Sequence, residues 1–205
     1  MRRLQNKPRI CIICEGYEEY DYLNSLIELN IWNEYDIDLI NAFSNGNLSS
    51  SYQYYYQNDD YDLILIFGDT DRPNYSDFKL LLTKINEFHG TEGCAEQIVI
   101  FGNPCTMQII LNHFSTSLVK VLKSNKKRNR ELIFNLTGVD NYDAHEEQRK
   151  IIFNQINIKN YQQMKKNLEG CSTNYEDVSS TNFLYYAEKL ESSSDEWIEE
   201  INELL

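Results

Sequence analysis

The sequence predicts an α/β fold: a parallel sheet flanked by helices, with a mainly helical C-terminal region. Three observations predict it. Short apolar runs alternate with stretches of helical periodicity over the first half of the 205 residues. The two clearest runs, RICIIC (9–14) and YDLILIFG (61–68), are close to continuously apolar, as strands buried on both faces are. No strong strand run follows Phe101.

The elements follow in order. Residues 9–14 read as a buried strand that Glu15-Gly16 ends. From 18 to 30, Tyr22, Leu23, Leu26 and Ile27 recur at helical spacing. Residues 36–43 (DIDLINAF) alternate as a second strand, and 44–47 have turn composition. A helix over 49–57 would carry Tyr52, Tyr54, Tyr55 and Tyr56. The strand at 61–68 leads into an Asp-Thr-Asp-Arg-Pro loop. Phe78, Leu81, Leu82, Ile85 and Phe88 then form one helical stripe. Residues 97–101 (QIVIF) give a fourth strand, and Asn103-Pro104 opens a helical stretch over 106–114. Strands alternating with helices of this size imply a parallel sheet. Beyond it, 118–136 is polar with sparse apolar anchors, while 146–158, 182–190 and 195–205 read as helices. The division is an α/β domain over 1–115 and a mainly helical region over 116–205 packed on it.

Composition narrows the function classes. Apolar residues make up 41% and aromatic residues 13%, which excludes a largely disordered chain. No apolar run is long enough to span a membrane, and the five apolar residues after the basic start are too few for a signal peptide. Five Cys without framework spacing point to reduced thiols and a cytoplasmic location. A net charge of −13 argues against a protein coated in positive charge to hold nucleic acid unselectively. The charge is uneven. Residues 120–130 hold Lys120, Lys123, Lys126, Lys127, Arg128 and Arg130 with no acid, so the remainder carries −19. That segment reads either as a track for a phosphate backbone or as a solvated loop. The acidic C-terminal stretch reads as a solvated helix face.

Ligands of open parallel sheets bind at the carboxyl ends of the strands. Glu15 follows the first strand, and Asp69 and Asp71 follow the third. In extended chain, residues two apart point the same way, so Asp69 and Asp71 can converge. A hard divalent cation, Mg²⁺ or Mn²⁺, relieves the repulsion of gathered carboxylates and can activate water on a phosphoryl group. The same acids also suit helix and turn caps, and both readings stand on the residues alone. No phosphate-binding glycine loop of the G-x-x-x-x-G-K type is present, which excludes ATP hydrolysis by that route.

Cys14-Glu15-Gly16-Tyr17-Glu18-Glu19 after an apolar strand resembles the E-G signature of Toprim domains. Phe67-Gly68-Asp69-Thr70-Asp71 resembles their D-x-D motif. The pair, in this order, is similar to DnaG-type primases, topoisomerases and OLD-family nucleases. Within that superfamily the chain looks most like the RloB-like proteins, with their later N-P-x-F-E-x-W-L-L-L-H-F stretch. Asn103-Pro104 and His113-Phe114 keep the ends of that stretch at the same spacing, and Ser180-Thr181-Asn182-Phe183 is a weaker echo. The resemblance covers roughly 9–115. It implies a Toprim-like Rossmannoid sheet and Mg²⁺- or Mn²⁺-dependent phosphodiester chemistry on DNA or RNA, in bacterial anti-phage defence. Glu15, Asp69 and Asp71 would be catalytic. Glu15, Glu19, Asp69 and Asp71 would bind metal, with Glu18 a lesser candidate and Asn103 and His113 in support. Met107 departs from the pattern at the place of a Glu. A Toprim-like module that binds a partner, such as an ATPase, is the second reading that the resemblance leaves. A nucleotidyl-transferring enzyme is the third.

Other residues read more plainly. His113, among apolar neighbours, is a hydrogen-bonded packing residue or a proton shuttle. His89 and His145 read as surface residues. Cys11 and Cys14 face opposite sides of a strand and cannot share a metal. The Tyr cluster from Tyr52 to Tyr56 either stacks bases or, the reading preferred, divides between core packing and a partner surface.

Overall fold

The structure, a computed structural model, describes residues 7–43, 48–70, 75–123 and 125–205. Four strands form one parallel sheet: β1 (Arg9–Cys14), β2 (Asp36–Asn41), β3 (Leu63–Asp69) and β4 (Val99–Gly102). Their order is β2-β1-β3-β4. The α/β class with a Rossmann-like parallel sheet is therefore as the sequence predicts.

The runs of the two central strands explain their placement. Every residue of β1 after Arg9 is buried, and β3 is buried up to Asp69. Strands covered on both faces need apolar side chains on both faces. Their register sets Cys14 beside Phe67. β2 is an edge strand and only half-buried, which suits its alternating sequence. Between β1 and β2 runs α1 (Tyr17–Glu28), which buries Tyr22, Leu23 and Leu26. α2 (Leu48–Asn58) and α3 (Ser76–His89) follow β2 and β3. The chain leaves β1 toward β2 on one side and β3 toward β4 on the other. The topological switch point thus lies between β1 and β3.

After β4 the helices are α4 (Met107–Ile110), α5 (Lys126–Thr137), α6 (Glu146–Phe153), α7 (Ile158–Leu168), α8 (Phe183–Glu191) and α9 (Glu196–Asn202). Two expectations are corrected here. The helical stretch at 106–114 is a four-residue helix that tightens into a 3-10 turn over Leu111–His113. The helix expected over 146–158 stops at Phe153, and α7 begins afresh after the Asn157 cap, whose side chain accepts from Asn160 N–H.

Residues around α8 and α9 join the sheet at both ends of its strands. The Asn182 side chain acts as a surrogate strand for β4: it accepts from Phe101 N–H (2.9 Å) and donates to the Val99 carbonyl (2.8 Å). Gly102 and Thr181 form an antiparallel bridge. At the opposite end of the strands, the Trp197 indole donates to Tyr35 Oη (2.9 Å) and the Asn202 amide donates to the Asp62 carbonyl (2.8 Å). Among the described residues no helix is long and apolar enough to cross a membrane.

Candidate active site

Glu15 and Asp69 leave β1 and β3 side by side at the switch point. Glu15 N–H donates to the Phe67 carbonyl (2.9 Å), extending the ladder by one residue. Asp69 N–H donates back to Glu15 Oε2 (2.8 Å). Gly68 makes this approach possible, because a Cβ there would stand 2.9 Å from Glu15 Oε2. Asp71 lies outside the described residues.

Glu19 joins from the first turn of α1. Its Oε2 accepts from Gly16 N–H (3.0 Å), the reach-back half of a capping box. Its Oε1 lies 2.7 Å from Thr106 Oγ1, and the same hydroxyl lies 2.9 Å from Asp69 Oδ1. Thr106 N–H also donates to Asp69 Oδ1 (2.8 Å). Thr106 stands just before α4, where a hydroxyl ordinarily caps the helix, yet it makes no such bond. It is turned to the acids instead.

A hydroxyl has one proton to donate. Two carboxyl oxygens in reach of it therefore require a proton on one of them, or a cation beside them. Burial pushes Glu19 up to about 7, with the charge of Glu18 adding to it. Burial also raises Asp69 well above the usual carboxylate range, followed by the charges of Glu19, Glu15 and Glu18. Glu18 is raised by burial and partly relieved by the Tyr142 hydroxyl, which donates to it, and by Arg149. Glu18 thus belongs to the cluster more closely than the sequence suggests.

Carboxylate oxygens are the hard donors that Mg²⁺ and Mn²⁺ take, and Mg²⁺ commonly uses one or two of them with waters and phosphate oxygens. Glu15, Glu19 and Asp69 fit that donor chemistry. Among the described residues, however, no three His, Cys, Asp or Glu side chains gather tightly enough to hold an ion by themselves.

The basic segment divides. The backbone at 119–121 is pinned: Gln108 donates to the Val119 carbonyl and accepts from Val121 N–H, both at 2.8 Å. The Asn129 amide donates to the Leu122 carbonyl (2.7 Å). Lys123 reaches the end of β3. Its Nζ donates to the Thr70 carbonyl (3.3 Å) and stands 5.0 Å from the Tyr75 ring centroid. Lys126, Lys127 and Arg128 form the exposed first turn of α5. Lys127 meets Glu131 at 3.9 Å, Arg130 pairs with Asp143 at 2.6 Å, and Lys120 is exposed.

The supporting residues lie elsewhere. His113 is buried in the core, its Nε2 2.9 Å from the Tyr22 hydroxyl, and burial lowers it to about 3. It packs against the Tyr22 and Tyr161 rings, as a hydrogen-bonded packing residue does. The Asn103 amide donates to the carbonyls of Tyr175 (2.8 Å) and Asp177 (2.6 Å). It holds the loop before Ser180 and so ties the Asn-Pro motif to the 180–183 segment. Met107 is a core residue. His89 is not a plain surface residue, since its Nε2 lies 2.9 Å from the Tyr52 hydroxyl within a ring cluster. Tyr52 is buried, while Tyr54 and Tyr56 are exposed.

Sequence reasoning missed Thr106 and Tyr142. The hydroxyl directly before the apolar helix at 107–110 was a readable signal for Thr106, though it pointed to a cap. Nothing local marks Tyr142, which meets Glu18 across 124 residues. No protein-family model matches the chain, and neither a curated protein nor a solved structure matches it.

Proposed function

We propose that the chain performs Mg²⁺- or Mn²⁺-dependent phosphodiester chemistry on nucleic acid, as a nuclease. The observation that carries this reading is the meeting of Glu15, Glu19 and Asp69 at the switch point, with Thr106 between the last two. The likeness to RloB-like Toprim proteins supports it and suggests a role in anti-phage defence. The five cysteines are free, in keeping with a cytoplasmic setting.

Glu15, Glu19, Asp69 and Asp71 would hold the ion. When bound, it supplies polarisation of the phosphoryl oxygens and a lowered pKa for attacking water. The chain's own part is positioning. Thr106 fixes Asp69 Oδ1, and no described residue bonds Oδ2, which is left for a ligand. The Asp69 amide fixes Glu15. Lys123 places a positive charge beside Thr70, where a phosphate entering over the acids would meet it. Three cations in the first turn of α5 oppose the helix dipole, a cost that a bound phosphate backbone would offset.

The test is cleavage of single- and double-stranded DNA and RNA with Mg²⁺ or Mn²⁺, comparing the wild type with the Asp69→Ala/Asp71→Ala double variant. Cleavage that the double variant abolishes is the expected result. No cleavage by the wild type with any divalent metal overturns the reading. A module that binds a partner such as an ATPase is the second reading. It is favoured by the burial of Met107, which leaves no acid at that point of the Asn-Pro motif.

A further inference from the structure

The loop between α5 and α6 meets the first turn of α1. Tyr142 lies in that loop, 8% exposed, and its hydroxyl donates to Glu18 Oε1 across 124 residues. Glu18 is the neighbour of Glu19, whose carboxyl meets the Thr106 hydroxyl. After burial, the charge of Glu18 is one of those that raise both Asp69, at the end of β3, and Cys105, the residue before Thr106. Glu18 therefore stands close to the cluster, and Tyr142 stands behind it.

The loop is held at several points. Gln148 accepts from Asp143 N–H (2.9 Å) and donates to the carbonyls of Asp140 (3.2 Å) and Asn141 (3.1 Å). The buried Arg149 donates to the Ala144 carbonyl and pairs with Asp21 of α1 at 2.8 Å. Arg130 pairs with Asp143 at 2.6 Å. On either side of Tyr142, Asn141 (φ 45°) and Ala144 (φ 55°) are left-handed, a conformation that an alanine keeps only where its surroundings impose it. Glu18 itself is half-buried, and no described residue bonds its Oε2.

We infer that Tyr142 is a positioning residue of the acid cluster: its hydroxyl holds Glu18 by one oxygen and leaves the other open, which makes Glu18 a further carboxylate of the site beside Glu15, Glu19 and Asp69. The inference rests on the metal-dependent reading above and adds to it a residue of the C-terminal region. A carboxylate on a flexible stem serves a divalent cation, or a water on that cation, best when its direction is fixed beforehand. Partners that fix a ligand in this way are worth about 10–100-fold in metal affinity or activity. If Tyr142 only packed, a phenylalanine would serve as well.

The experiment titrates Mn²⁺ alone into the full chain by calorimetry and compares the wild type, Tyr142→Phe, Glu18→Gln and the double variant. Tyr142→Phe keeps the ring and should weaken Mn²⁺ binding about 10-fold. Glu18→Gln, which leaves the phenol in place, should weaken it at least as much. The double variant should bind no more weakly than Glu18→Gln, because the hydroxyl acts only through that carboxylate. A purely structural role would not give this non-additivity. Wild-type affinity in Tyr142→Phe overturns the inference, and so do losses that add in the double variant. Absence of Mn²⁺ binding by the wild type overturns it as well. The expected Mn²⁺ pattern without cleavage of any oligonucleotide would sink the nuclease reading alone. Cleavage that neither Tyr142→Phe nor Glu18→Gln slows would sink only this inference.

Discussion

Thr106, with one proton and two carboxyl neighbours, gives the acid cluster a pH dependence of its own. Glu19 is raised to about 7 from an ordinary 4.5, so the folded state holds its proton more tightly than the unfolded chain does. Its stabilisation is complete below pH 4.5 and is lost as pH rises through about 7. Asp69 acts in the same direction. His113 works oppositely: lowered to about 3 from 6.5, it stabilises above pH 6.5 and loses that contribution as pH falls. Above pH 7 the unfolded imidazoles are mostly neutral, so the histidine contribution levels off and the acids dominate from there to about pH 8. Urea denaturation of the metal-free protein in EDTA should show its midpoint falling across that interval, with a smaller fall in Glu19→Gln. A fall of equal size in both proteins would count against a shared proton at Glu19. A second prediction concerns Gly68. An added Cβ would stand 2.9 Å from Glu15 Oε2. Gly68→Ala should therefore lower metal-dependent cleavage by about 10-fold or more through displacement of the carboxylate. Stability should change much less, which thermal unfolding would establish.

The closure of β4 is the decisive contact among elements. Asn182 satisfies one N–H and one carbonyl of that strand. Asn182→Ala leaves both unpaired and should cost about 2–4 kcal/mol, measurable by urea denaturation. A loss under 0.5 kcal/mol, the size of an ordinary surface substitution, would show that water replaces the amide. Elements were unevenly legible in the sequence. β1 and β3 announced themselves as apolar runs because a strand buried on both faces has little choice of residue. The acids at their ends were legible for the same reason, since the ends of the runs were sharp. The start of α7 was harder: Tyr161, Met164 and Leu168 are its apolar anchors among polar neighbours, and only the Asn157–Asn160 cap marks its beginning. Thr106, Tyr142 and Asn182 owe their roles to partners far away in sequence, which no local window contains.

At the scale of the whole molecule, charge decides how a nucleic acid could approach. The chain carries −13, and six cations fall within residues 120–130. Lys123 reaches the strand ends, while Lys126, Lys127 and Arg128 lie open on α5. Any polyanion is therefore repelled by most of the surface and steered to one face. Reversing all three α5 cations to Glu should weaken oligonucleotide binding. It should also flatten the dependence of log affinity on log salt by about 2–3, near 0.9 per lost phosphate contact. Affinity that stays the same across the titration would remove α5 from the interface.

The late arrival of Asn182 also has a consequence in time. Phe101 and its partner Asn182 are 81 residues apart. A ribosome adding roughly 5–20 residues per second needs about 4–16 s to travel that distance. Throughout that interval the nascent chain carries an apolar strand with an open hydrogen-bonding edge, the feature that recruits other strands. Nascent chains on neighbouring ribosomes of one message are exposed to each other in that interval, so the hazard of misassembly grows with the rate of initiation and fades once residue 182 is in place.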